Sequence, residues 1–196
     1  MEPSAIKSAP ARTLTSQIRR IRNVRPALLV VFLLTLFAAQ SCDLAWRAGV
    51  TTDEPGHLIA GLNWLATGAY EYKTQNLFFA QKWGALPVFL SGAALPPPVR
   101  YHFELPNYIG EMFLFGMAHD PVWLLWQARG MIIILGVLLG WIIYMVAQKI
   151  FDRAAALVAL ALYSTSPLVI SNASLMTVDL AVTLWLFLGR VFKINE

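Results

Sequence analysis

Cysteine is nearly absent from this 196-residue sequence: Cys42 stands alone, which excludes an internal disulfide and a cysteine-based zinc site and leaves the redox compartment open. Charge is scarce too, at 13% of residues against roughly 25% in soluble domains. There is no glycine-rich phosphate loop, no Ser-His-Asp arrangement, no internal repeat and no low-complexity array, so P-loop and serine-triad chemistry have no residues to run on. What fills the chain is apolar. With 58% hydrophobic residues and a mean hydropathy of +0.59, the sequence reads as an all-α integral membrane protein.

The length leaves room for about four spans of ~20 residues and one external segment. Residues 1–25 are polar and basic without apolar periodicity and read as a disordered tail. That tail holds Lys7, Arg12, Arg19, Arg20, Arg22 and Arg25, which place the N-terminus in the cytoplasm by the positive-inside rule and make a nucleic-acid role the weaker reading. Ala27 to Ala39 is uninterrupted apolar sequence. Three readings compete there: a signal peptide cut near Ala39-Gln40-Ser41, lipoprotein cleavage before Cys42, whose preceding residues fit poorly, and an uncleaved span over 26–46, which is favoured because Gln40 and Ser41 can face protein and Trp46 suits an interface. Residues 47–127 form a large external loop, too polar to span yet rich in aromatics, in which Trp83 to Ser91 and Asn107 to Met117 read as short interfacial helices. Further spans are expected at 131–147, 154–170 and 175–192. Their flanking residues Lys149, Arg153, Arg190 and Lys193 all fall on the cytoplasmic side, so ten of the 15 basic residues lie there.

The remaining chain is organised around Thr51 to Gly68, TTDEPGHLIAGLNWLATG. Thr51 and Glu54 have the spacing of a capping box, Pro55 sits in the first turn, and Thr67-Gly68 supplies a stop, so the stretch predicts one short helix. Leu58, Leu62 and Leu65 repeat on one stripe while Asp53, His57 and Gly61 fall on another, predicting an amphipathic helix lying flat on the membrane. Asp53 and Glu54 at its start are either ordinary N-terminal helix acids or the acidic half of a site.

Other candidates for chemistry are few. Asp179 begins an apolar span, where an acid faces a cavity or a partner unless it merely caps the helix. Arg129 enters a span from the outer side, and Lys82 and Arg100 are external cations that a solvated surface would equally explain. His57 lies four residues after Asp53, and DEPGH superficially resembles a zinc-protease helix, but the first histidine of that motif is missing and neither His102 nor His119 has helical spacing to it. No metal site is expected. Two external acids beside cations suggest a general base acting on a hydroxyl or amine, with an anionic lipid-linked group held by Lys or Arg.

The order of elements resembles the N-terminal part of GT-C type membrane glycosyltransferases, the group that includes protein O-mannosyltransferases, aminoarabinose transferases and the RgtA/B/C/D-like bacterial enzymes. The carrying residues are Asp53, Glu54, Pro55, His57, Gly61, Leu62, Leu65, Thr67, Gly68 and Tyr70, followed by Asn76, Ala85-Leu86-Pro87, Ala128-Arg129, Ser166-Pro167 and Thr177-Val178-Asp179. The resemblance implies transfer of a sugar from a polyprenyl-phosphate donor to a glycan, lipid or protein acceptor outside the cytoplasmic membrane, without a metal cofactor. It assigns Asp53 as the base, Glu54 and Asp179 to the same pocket with His57, and Arg129 and Lys82 to the lipid phosphate. Two departures stand out. The family's Pro-Pro is Leu77-Phe78 here, and its lysine position is Gln81 with Lys82 one place later. Family members also run on for several hundred residues, so the resemblance implies an N-terminal fragment, inactive by itself. The alternative is a non-enzymatic membrane protein or remnant that binds lipid or partner helices.

The charge asymmetry generates a topological prediction. In a Cys42→Ser background, Lys73→Cys should react with an impermeant thiol reagent in intact cells, and Asn195→Cys only after permeabilisation. The reverse pattern would invert the topology.

Overall fold

The computed structural model describes residues 12–69, 78–96, 106–117 and 120–194, and those residues are helical with short connections and no strand. Among the described residues two helices are long and apolar enough to cross a membrane: α1 (Arg12–Arg47), through its apolar part Ala27–Arg47, and the 30-residue α5 (Pro121–Ile150). The protein is therefore an all-α membrane protein. The first helix begins at Arg12, so its early turns occupy sequence expected to be a disordered tail; Leu14, Gln17, Ile18 and the arginines there are adequate helix formers.

Of the four expected spans, a third is accounted for among the described residues if α6 (Arg153–Ser164) and α7 (Pro167–Ala173) are taken as one crossing bent by 62°. Proline accounts for the bend, since Pro167 has no N–H to continue the ladder and biases Ser166 away from helical geometry. The carbonyl of Ser164 at that break is satisfied from another helix: the Gln40 side chain of α1 donates to it at 3.1 Å. Gln40 and Ser41 thus face protein, as expected of polar residues within a span, and Ser41 is fully buried. The fourth expected span is α8 (Asp179–Ile194), whose 16 described residues reach only about 24 Å. It starts four residues later than expected because residues 174–178 are spent on a turn.

α5 begins at Pro121, earlier than the loop boundary at 127 anticipated from hydropathy. Asp120 is the cause: its carboxylate accepts from the Val122 and Trp123 amides at 3.0 and 3.2 Å, with Pro121 at the first helical position. Packing among the long helices is close. Tyr163 of α6 donates to the Gly136 carbonyl of α5 at 2.7 Å, and its ring lies 5.2 Å from that of Phe37 in α1.

Beside these helices sit α2 (Glu54–Thr67), α3 (Phe78–Leu90), α4 (Pro106–Glu111) and a five-residue π-helical turn at Met112–Gly116. The expected helices after Trp83 and Asn107 are therefore present. α2 ends where its punctuation predicts, with Gly68 left-handed at φ 71°. Its burial does not follow the two stripes seen in the sequence. Packed between α3 and α4, it buries residues from Glu54 to Asn63 on nearly every side. Two glycines permit this: a Cβ at Gly61 would run into the Gln81 carbonyl, and one at Gly110 into the Pro55 carbonyl. α3 is tied to α5 in turn by Trp83, whose indole donates to the Met131 carbonyl at 2.7 Å.

Backbone contact at these glycines makes a testable contrast. Gly61→Ala should lower stability by about 1–3 kcal/mol through overpacking, whereas Gly130→Ala, where an added methyl meets open space, should leave it unchanged or slightly raised. Thermal unfolding of both variants in one detergent checks the pair.

Candidate functional site

Glu54 is fully buried, and its carboxylate accepts four hydrogen bonds. Oε1 accepts from Arg129 Nε and the Met176 amide, both at 2.8 Å; Oε2 accepts from an Arg129 terminal nitrogen at 2.7 Å and the Thr51 amide at 3.0 Å. The other Arg129 protons go to the carbonyls of Ala45, Ala48 and Gly49 at 2.7, 3.0 and 2.7 Å. All five donors of the guanidinium are spent, and the residue is 3% exposed. The arginine caps the C-terminal carbonyls of α1 and the glutamate sits in the first turn of α2, so each charge also lies at the favourable end of a helix dipole.

Both assignments made from sequence change accordingly. Glu54 reaches back to the Thr51 amide as half of a capping box, but Asp53 occupies the N-cap position without a side-chain capping bond, and the Thr51 hydroxyl is buried with no hydrogen-bond partner. Arg129 cannot hold a lipid phosphate while its fork is engaged, because every N–H that would bind the anion already has an acceptor. Burial opposes ionisation of Glu54 more than any single other influence, yet the Arg129 hydrogen bonds, the Met176 and Thr51 amides and the Arg129 charge together outweigh it and hold its pKa below the ordinary glutamate value.

The two remaining acids are differently placed. Thr51 and Met176 are fixed to opposite oxygens of one carboxylate; Asp53 follows the first by two residues and Asp179 follows the second by three. Both aspartates are exposed, and both lie within electrostatic reach of His57, Asp53 exerting the stronger pull. The structure therefore gathers Asp53, Asp179 and His57 around the Glu54–Arg129 pair. Small residues shape the approach: the Met176 side chain fills the space that a Cβ at Gly84 of α3 would take.

His57 is half-buried, and its Nδ1 lies 3.2 Å from the side-chain amide of Gln81. Burial is the largest influence on the ring and lowers its pKa below the ordinary imidazole value, against the pull of Asp53, Asp179 and Glu54. Lys82 goes elsewhere. Its ammonium stands 3.3 Å from the Trp64 ring centroid, a cation–π contact two helical turns, or about 10 Å, along α2 from His57. Among the described residues no group of His, Cys, Asp and Glu is arranged to hold a metal ion, while Arg100, His102 and His119 lie outside the described residues.

Gln81 is the site residue that sequence reasoning passed over. Its signal was an amide in the apolar run FFAQKWGALPVFL, where burial without a partner would be costly. The carbonyls of Ala45, Ala48 and Gly49 gave no signal beyond the end of a helix.

Residues 122–192 match the model of the Dolichyl-phosphate-mannose-protein mannosyltransferase family. The matched stretch runs from α5 into α8 and includes Arg129 and Asp179; Asp53, Glu54, His57 and Gln81 precede it. No curated protein and no solved structure matches the chain closely enough to count as a relative.

Removing one partner of the buried pair leaves an uncompensated charge, so Arg129→Met should cost roughly 3–5 kcal/mol, and Glu54→Leu with Arg129→Met should recover much of it. Acid should act in two steps. The folded pKa of His57 is depressed, so its contribution is present above the ordinary imidazole value of 6.5 and begins to decline below it; that of Glu54 is present above 4.5 and is lost as pH falls through its lowered folded value. Melting temperature measured against pH should show the lower decline in the parent protein and lose it in the double variant.

Proposed function

We propose that the protein takes part in glycosyl transfer from a polyprenyl-phosphate-linked sugar to an acceptor at the outer face of the cytoplasmic membrane, with Asp53 as the general base. The observation that supports this reading is the division among the acids: Glu54 is consumed by Arg129 and two backbone amides, whereas Asp53 and Asp179 remain exposed beside His57. A base needs an accessible carboxylate. The similarity of residues 122–192 to mannosyltransferases of lipid-linked donors supports the substrate class.

In this reading the acceptor hydroxyl attacks the anomeric carbon, the bond from that carbon to the phosphate oxygen breaks, and the acceptor proton passes to an Asp53 oxygen. Asp179 orients the sugar or the acceptor from the facing turn. Lys82, the other cation expected at the donor phosphate, would have to exchange its contact with the Trp64 ring for the phosphate. No metal takes part, and the acceptor is a glycan, a lipid or a protein. Arg129 acts by holding the two aspartate-bearing turns at one place.

The test uses membranes from cells expressing the protein from its own gene, with polyprenyl-phosphate mannose as the donor. Asp53→Asn keeps size and most hydrogen bonding but cannot accept the proton, so transfer should fall by roughly 10² to 10⁴ while donor binding is retained. Near-normal transfer by Asp53→Asn would make the acid a helix cap only and return the protein to a non-enzymatic role.

A further inference from the structure

Gln81 is 3% exposed, and the helix carrying it is held against α2 by the approach of its own backbone carbonyl to Gly61. Its side-chain nitrogen faces His57 Nδ1 at 3.2 Å. An amide nitrogen can only donate, so Nδ1 must accept, and a neutral imidazole that accepts at Nδ1 carries its proton on Nε2. Protonating Nδ1 would set two donors against each other and leave a buried amide without its partner.

We propose that Gln81 is a positioning residue of the site: it holds His57 as the neutral Nε2–H tautomer, so that the imidazole serves Asp53 and Asp179 as a hydrogen-bond donor and not as a second base. The charged groups around the ring fit this assignment. Asp53 lies one turn before His57 on the same helix face, Asp179 belongs to the turn at the start of α8, and Glu54 is neutralised by Arg129. Lys82, the neighbour of Gln81 on α3, is engaged with Trp64, and α4 presents the uncharged Asn107 beside Gly56. Were His57 an imidazolium instead, it would pair with Asp53 and weaken it as a base. The catalytic meaning of this arrangement rests on the transferase reading, whereas the arrangement itself does not.

Nitrogen-15 spectra of histidine-labelled protein in lipid nanodiscs test it, with His57 assigned in a His102→Gln, His119→Gln background. The parent protein should show an unprotonated Nδ1 and a protonated Nε2 at neutral pH. Gln81→Met should relax the ring to the mixture of a free imidazole, with the Nδ1–H form populated beside the intrinsically favoured Nε2–H, and Gln81→Glu should reverse the preference and raise the pH at which the ring titrates. An Nδ1–H tautomer in the parent protein would overturn the proposal, as would an unchanged tautomer in a folded Gln81→Met protein. The parent spectrum needs no substitution at Gln81, so misfolding of either variant leaves a decisive result. Loss of the transferase reading is separately visible: Asp53→Asn would then transfer normally although the parent protein shows the Nε2–H form.

Discussion

The ion pair between Glu54 and Arg129 is the constraint on which the site depends. It joins four segments distant in sequence: the end of α1, the start of α2, the first third of α5 and the turn before α8. A charged pair removed from water is costly, and mutual attraction alone seldom offsets the loss of hydration. Here the offset comes from complete hydrogen bonding, with four donors to the carboxylate and five acceptors around the guanidinium, and from two helix ends whose dipoles favour the charges they receive. Geometry follows from saturation. A carboxylate with both oxygens occupied cannot rotate without losing bonds, so the turns attached to it cannot drift apart.

This separates two tasks that adjacent residues were expected to share. Asp53 and Glu54 are consecutive, yet one is exposed and the other has no contact with solvent. Helix geometry explains the difference, since neighbouring residues point about 100° apart, and α2 turns Glu54 toward α5 while leaving Asp53 at its rim. The acid that builds the site and the acid available for chemistry are thus neighbours in the chain.

Much of the architecture was legible because it depends on local signals. Apolar runs gave α1 and α5 and Thr67-Gly68 gave the end of α2, whereas 154–170 read as one span and the break before Pro167 did not show. The burial of α2 was not legible, since its stripes look amphipathic until α3 and α4 close over Gly61 and Gly110. Nor was the role of Arg129. A cation at the mouth of a span looks the same in sequence whether it serves a lipid phosphate or the carbonyls of a neighbouring helix, and only the path of α1 decides between them. Gln81 was hidden for a related reason: its partner lies 24 residues away, across a helix crossing that no periodicity encodes.

α5 also acts as a ruler of depth. Lys149 and Arg129 are separated by 20 residues, about 30 Å along the axis, which is close to the ~30 Å hydrocarbon thickness of a bilayer. With Lys149 at one interface, Arg129 stands at the other, level with the cluster of Trp46, Trp123 and Trp126, the residue type that favours that layer. That placement would put the ion pair where hydrocarbon gives way to headgroups. A lipid-linked donor of the kind proposed would reach that depth by lateral diffusion within the leaflet, so its supply would be set by its surface density and not by its concentration in bulk water.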